Sequence, residues 1–182
     1  MNAMAWAIWI TGLPGSGKTT IAREVQRLLS GERLKTLQLD EVRKIVTPQP
    51  KYTEEERDIV YASLAYMAKV LTECGINVIV DATANRKRYR DLARQLIPNF
   101  AEVYVKCTLE ICIERESTRV TKYSPKGIYK SAGAKSTTVP GINVPYEEPD
   151  NPEVVIDSEK IDPQEAAESI VKRIGELFNG NE

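Results

Sequence analysis

The sequence predicts an α/β domain with a mainly parallel sheet, and three observations carry that prediction. Short apolar runs rich in strand formers alternate with stretches of helical period almost throughout the 182 residues. A glycine-rich loop, "TGLPGSGKTT", joins the first such run to the first helix. The central run "INVIVD" is apolar without alternation, as a strand covered on both faces should be, and it ends in an acid.

Taken in order, "AWAIWI" is the first expected strand, and the helix after the loop places Ile21, Val25, Leu28 and Leu29 on one face. "LKTLQL" (34–39) reads as a second strand ending at Asp40. Thr53 with Glu56 makes a capping box that opens a long helix. Its Val60, Leu64, Met67 and Leu71 share a side, and Gly75 closes it. "INVIVD" (76–81) follows, then a basic helix over about 86–97 stopped by Pro98, a strand at 101–107 and a short helix in "LEICIERE". "VVID" (154–157) is the last expected strand. Asp162, Pro163 and Glu165 cap a terminal helix whose Ala167, Ile170, Val171, Ile174, Leu177 and Phe178 form its buried stripe.

Residues 117–152 break the rhythm. They carry Arg119, Lys122, Lys126, Lys130 and Lys135 without sustained periodicity, and a loop of that length inside a small domain reads as a lid that closes over phosphates. No linker or repeat divides the chain, so residues 1–182 read as one domain, with residues 1–4 expected to lie outside the fold.

Composition narrows the chemistry. The chain holds 25 basic and 26 acidic residues, so no basic excess points to nucleic acid. No apolar run reaches the roughly 18 residues that span a bilayer, and no secretory signal precedes the first strand, which predicts a cytoplasmic protein without membrane contact. The three cysteines, Cys74, Cys107 and Cys112, lack metal-ligand spacing and read as buried small apolar residues in a reducing compartment. The chain contains no histidine, which removes the usual imidazole base and any His-ligated zinc. The chemistry should therefore rest on positioning and charge neutralisation, as phosphoryl transfer does.

The loop supplies the means. Gly12, four residues, then Gly17-Lys18-Thr19 is the spacing of a phosphate-binding loop opening a helix. Backbone N–H groups across Gly12, Leu13, Pro14, Gly15, Ser16 and Gly17, wherever proline does not remove one, turn toward one anion. Lys18 neutralises the β- and γ-phosphates, Thr19 offers its hydroxyl to Mg²⁺, and Thr20 continues the helix end that faces the nucleotide. In an open parallel sheet ligands sit at the carboxyl ends of strands, where Asp40 and Asp81 are expected. Asp40 could take or orient an acceptor proton, or merely cap a helix; Asp81 could hold a metal-bound water or an acceptor group. Arg43 and Arg57 are candidate anion clamps.

The stretches "GLPGSGKTT", "LDEVRK", "YTEEERD", "LEICIER" and above all "KGIYKSA" and "PGINVPYEEPDNPEVVID" resemble the adenylylsulfate kinase family from about residue 6 to the terminal helix. The resemblance implies a P-loop kinase fold that moves the γ-phosphate of ATP, with Mg²⁺, to the 3′-hydroxyl of adenylylsulfate. It implies that Asp40 and Arg43 match an Asp and Arg of the family's Asp-Gly-Asp-x-x-Arg segment. By the same resemblance Arg57 matches a sulfonucleotide-binding arginine, Arg115 an arginine near ATP, and Lys126 and Ile142 a lid over both nucleotides. Tyr52 is the one aromatic at a matching acceptor position. The chain departs from the family where Gln38-Leu39-Asp40 replaces Asp-Gly-Asp, where Val139 replaces a base-stacking phenylalanine, at Val60 and Ala62, and across "DATANRKRYR" (81–90). The stretch from Arg115 to Lys126 is also longer. A kinase acting on another nucleotide-like acceptor is the alternative that these departures keep open. A nucleotide switch is a third reading, although Thr121-Lys122-Tyr123-Ser124 lacks the acid of a guanine-specific motif. A homodimer is one allowed assembly, and nothing in the sequence selects it.

Overall fold

The computed structural model describes residues 5–118, 127–130 and 138–179. Five strands, β1 (Ala7–Thr11), β2 (Leu34–Gln38), β3 (Asn77–Asp81), β4 (Phe100–Lys106) and β5 (Val154–Asp157), pair in parallel in the order β2-β3-β1-β4-β5. β1 is therefore central, with β3 on one side and β4 on the other, and the chain diverges above its carboxyl end. That divergence opens the crevice in which such sheets bind ligands.

Six helices cover the sheet: α1 (Lys18–Leu28), α2 (Leu39–Val46), α3 (Glu54–Glu73), α4 (Lys87–Leu96), α5 (Leu109–Ser117) and α6 (Pro163–Ile174). Alternate residues of β1 feed two cores. Ile8 and Ile10 join Ile79, Val103 and Ile156 beneath α1 and α6. Ala7 and Trp9 join Val78 and Val80 beneath α3 and α4. β1 and β3 are buried along nearly their whole length, which is why their sequences are apolar without a period of two.

The expected elements are all present, with informative shifts. β2 ends at Gln38, and α2 begins at once with Leu39, so Asp40 lies in a first helical turn and not at a strand end. The cause is Leu39, which turns into the core beneath α3. Gln38 occupies the N-cap position, so Asp40 does not cap α2. Leu28 is exposed, because α1 ends there and Leu29 takes the inward position. Cys74 is exposed beside the Gly75 turn that ends α3, whereas Cys107 and Cys112 are buried as expected. In the terminal helix, Ala166 is buried and Leu177 is not. After Ile174 the chain widens into a π turn (Gly175–Asn179), which brings Phe178 in place of Leu177 against the Trp6 ring at 6.3 Å.

The α6 capping box forms as expected, with the Asp162 carboxylate accepting from the Gln164 and Glu165 N–H groups at 2.8 and 2.9 Å. Asp162→Ala is expected to cost about 1 kcal/mol, lowering Tm by about 2–4 °C for a chain of this size. Thermal unfolding checks it, and activity below the transition should not change. At α3 the box is displaced. Thr53 Oγ1 accepts from Glu56 N–H, but the Glu56 carboxylate reaches back past Thr53 to the N–H groups of Lys51 and Tyr52. That grip helps to hold Tyr52 at φ 56°, a left-handed conformation uncommon for an aromatic residue.

Within the stretch expected as a lid, residues 117–152, the described residues are 117–118, 127–130 and 138–152. Residues 145–147 are strapped to the core. Glu147 N–H donates to the Asn85 carbonyl at 2.8 Å, Asn85 Nδ2 to the Pro145 carbonyl at 3.1 Å, and the Tyr146 and Thr11 hydroxyls lie 3.0 Å apart. Arg90, almost wholly buried, joins the Ala84 carbonyl, the Glu147 carbonyl and the Glu102 carboxylate. The unfamiliar "DATANRKRYR" segment thus serves as the anchor for this strap. Lys126, Arg119, Lys122 and Lys135 lie outside the described residues.

Candidate active site

Between β1 and α1 the loop bends through Gly12 (φ 151°), Gly15 (φ 82°) and Gly17 (φ 102°). Two of these positions admit no side chain at all. A Cβ on Gly12 would stand 2.5 Å from the Val105 carbonyl oxygen, and one on Gly15 would stand 2.4 Å from that of Cys112. The loop is therefore seated against the ends of β4 and α5, with its N–H groups and the α1 N-terminus presented to one anion. Lys18 folds back over the loop, donating to the carbonyls of Gly12 (3.0 Å) and Leu13 (2.7 Å). Arg115 ties the loop to the segment after β5, reaching the Ser158 carbonyl at 2.8 Å, its hydroxyl at 3.0 Å and the Ser16 carbonyl at 3.5 Å. Tyr129, from the "GIYK" stretch, donates to the Pro14 carbonyl at 2.6 Å.

A cavity of about 450 Å³ opens from this loop toward α2 and α3. On its loop side stand Pro14, Gly15, Gly17, Lys18, Thr19, Thr20 and Arg115; Gly12, Leu13 and Ser16 form the loop behind them. At its centre the Thr19 hydroxyl donates to Asp81 Oδ2 at 2.7 Å, and Gln38 Nε2 donates to the same oxygen at 3.2 Å. A hydroxyl and a carboxylate side by side are hard oxygen donors. They fit Mg²⁺, which keeps several waters and takes its other ligands from phosphates. Of the two roles open to Asp81, this contact favours the metal side.

The far wall carries Asp40, Arg43, Tyr52 and Arg57. Arg43 is 8% exposed, its guanidinium lies 4.9 Å over the Tyr52 ring, and its Nη1 has no hydrogen-bond partner among the described residues. Arg57 is 5% exposed and donates to the Thr138 carbonyl (2.9 Å) and hydroxyl (2.7 Å). Burial pulls the Arg57 pKa below its ordinary value, and the neighbouring Arg43 pulls it the same way, while the buried Tyr61 opposes them. Two buried guanidinium groups on one wall, one with a donor unpaired among the described residues, make a site that favours an anion.

Ile142 is not part of this cavity. The Val139–Val144 turn is closed by N–H groups of Ile142, Asn143 and Val144 on the Val139 carbonyl, and it points Ile142 outward, 47% exposed, into a separate shallow depression with Leu13 and Leu109. Val139 and Pro140 line the cavity instead. Sequence reasoning also missed Thr138, which joins Arg57 to Tyr52, and Tyr61 and Asn85 on the cavity wall. Tyr61 lies one helical turn after Arg57, a spacing that could have placed it. The others depend on loop conformation that leaves no local pattern.

Among the described residues no helix is long and apolar enough to cross a membrane. The family model of adenylylsulphate kinase matches residues 4–157. An adenylyl-sulfate kinase from Rippkaea orientalis is 36% identical over 182 residues, covering 97% of this chain and 95% of that protein. The adenylyl-sulfate kinase of Halothermothrix orenii is 34% identical over 178 residues, covering 96% and 92%. Among solved structures, the Mycobacterium tuberculosis APS kinase CysC in complex with AMPPNP and APS superposes with a TM-score of 0.82 at 29% identity, covering 94% of this chain and 98% of that one.

Proposed function

The chain belongs to the adenylylsulfate kinase family, and we propose that it transfers the γ-phosphoryl group of ATP to the 3′-hydroxyl of adenylylsulfate. The observation that carries this reading is the single cavity that joins a phosphate-binding loop to a buried arginine pair, with Asp40 on its wall between them in sequence. The loop binds the triphosphate; Arg43 and Arg57 clamp the charged end of a second, anionic substrate. Holding two polyanions in one cleft requires this density of fixed positive charge, and a reaction with a loose transition state is served mainly by such positioning.

In this mechanism Lys18 leaves the loop carbonyls for the β- and γ-phosphates as ATP arrives. Thr19, with Asp81 behind it, would hold Mg²⁺, which when bound would supply charge neutralisation at the phosphates. Asp40 accepts or orients the proton of the attacking hydroxyl. Tyr52, fixed by Glu56 and packed against Arg43, lines the cavity and would stack on the acceptor base. Arg115 and Tyr129 brace the loop while charge moves.

Tyr52→Ala is expected to raise the KM for adenylylsulfate by an amount worth roughly 1–3 kcal/mol, the range for one-sided base stacking, with the KM for ATP unchanged. Val139→Phe should lower the KM for adenylylsulfate, because position 139 lines the cavity and the valine has no π-face. Steady-state kinetics on both variants test the acceptor assignment. A second reading, phosphorylation of another nucleotide-like acceptor, is favoured by Val139 itself. It would prevail if neither variant changed the KM for adenylylsulfate and another nucleotide supported faster ADP release.

A further inference from the structure

The last residues of β2 and β3, Gln38 and Asp81, are register partners on neighbouring strands. Such partners lie about 4.8 Å apart with side chains on the same face. Here one is a neutral amide and the other an acid, and both face the cavity with Thr19. Asp81 Oδ2 receives two donors, the Thr19 hydroxyl at 2.7 Å and Gln38 Nε2 at 3.2 Å, so the plane of the carboxylate is fixed from two directions. Oδ1 receives no donor from the described residues and keeps its lone pairs for a metal-bound water. Thr19, donating its hydroxyl hydrogen bond to Asp81, turns its own lone pairs away from the carboxylate.

We propose that Gln38 is a positioning residue, an uncharged donor that sets the Asp81 carboxylate against Thr19 and thereby determines how tightly the site holds Mg²⁺ with the nucleotide. This rests on the kinase reading given above. The choice of an amide follows from charge. A second carboxylate at position 38 would stand in contact with Asp81, and like charges at that range oppose joint ionisation. A lysine would form an ion pair and compete with the metal for the same charge. An amide orients Asp81 and does neither. Gln38 touches neither the reacting atoms nor the metal in this scheme; it acts through Asp81.

The test compares Gln38→Leu, which keeps the bulk and removes the donor, with Gln38→Met as a second apolar replacement, each in the wild-type and Asp81→Asn backgrounds. Mn²⁺ stands in for Mg²⁺, and its binding with a non-hydrolysable ATP analogue is followed by the electron paramagnetic resonance of free Mn²⁺. Gln38→Leu should weaken Mn²⁺ binding about 10-fold, the lower end for loss of a residue that supports a ligand. Affinity for the metal-free analogue should not change, and in the Asp81→Asn background Gln38→Leu should have no further effect. The Mg²⁺ concentration for half-maximal turnover should rise in parallel, and excess Mg²⁺ should restore kcat. Unchanged Mn²⁺ binding in both apolar variants would overturn the proposal, as would a full additive loss in the Asp81→Asn background or a change confined to the KM for the acceptor. If the wild-type chain binds the Mn²⁺–analogue complex no better than Lys18→Ala does, the reading of the phosphate loop itself fails. That outcome is distinct from wild-type binding that Gln38→Leu leaves intact.

Discussion

Lys18→Ala is expected to lower kcat by about 10²–10³-fold, the range for removing one fixed charge or donor aimed at a transition state, while the thermal transition stays close to that of the wild type. The fold should survive because Lys18 contributes no apolar packing to either core; its ammonium rests on the Gly12 and Leu13 carbonyls, which can turn to solvent or to one another's neighbours without loss of the loop's seat on β4 and α5. Activity should not survive, because no other described cation is set within the glycine loop itself. Arg115 is engaged with Ser158 and Ser16 behind the loop. Steady-state kinetics with calorimetry on the same preparation checks both halves. A variant with kcat near that of the wild type would contradict the assignment of the loop.

Asp40→Asn should lower kcat by about 10²–10⁴-fold, the contribution of a positioned acid–base group, with the KM for ATP little changed. Asparagine keeps the shape and the place in the first turn of α2 but cannot take a proton. Asp40 shares its short helix with Arg43, whose guanidinium packs on Tyr52, so the carboxylate is carried by the same element that grips the acceptor. That coupling is why the effect belongs in kcat and in acceptor parameters. Loss of ATP affinity alone would make Asp40 a metal-side or structural residue.

The donor half of the site was legible because it is local. Loop, lysine, threonine and helix start lie within nine residues, and their spacing predicts the glycine turns, while the close seat of Gly12 and Gly15 on Val105 and Cys112 is set by distant elements. Strand-end placement likewise found Asp81, since buried parallel strands announce themselves by composition. The acceptor half is assembled from α2, α3 and the 138–144 turn, and only Arg43, Tyr52, Arg57 and Asp40 could be placed, partly by resemblance. Thr138 meets Arg57 across 81 positions of sequence, a contact that no periodicity encodes. Ile142 lies outside the cavity because a tight turn reverses direction within six residues, and which side chain faces inward depends on dihedral angles that the letters do not fix. Residues 81–90 depart from the family and keep another acceptor open; within that stretch, burial of Arg90 against Glu102 makes it an anchor of the strap. Whether a charge is a ligand group or a core group is decided by what packs over it, and here that is the Pro145–Glu147 backbone.

This cavity is proposed to pass a phosphoryl group from ATP to the 3′-hydroxyl of adenylylsulfate. The most direct measurement incubates the full chain with Mg²⁺, ATP and adenylylsulfate, follows ADP release, and determines the mass and the phosphorylated position of the product. ADP is expected in equal amount to a product one phosphoryl group heavier than adenylylsulfate and substituted at the 3′ position. ADP formed no faster than without acceptor, or a phosphoryl group found elsewhere, would contradict it.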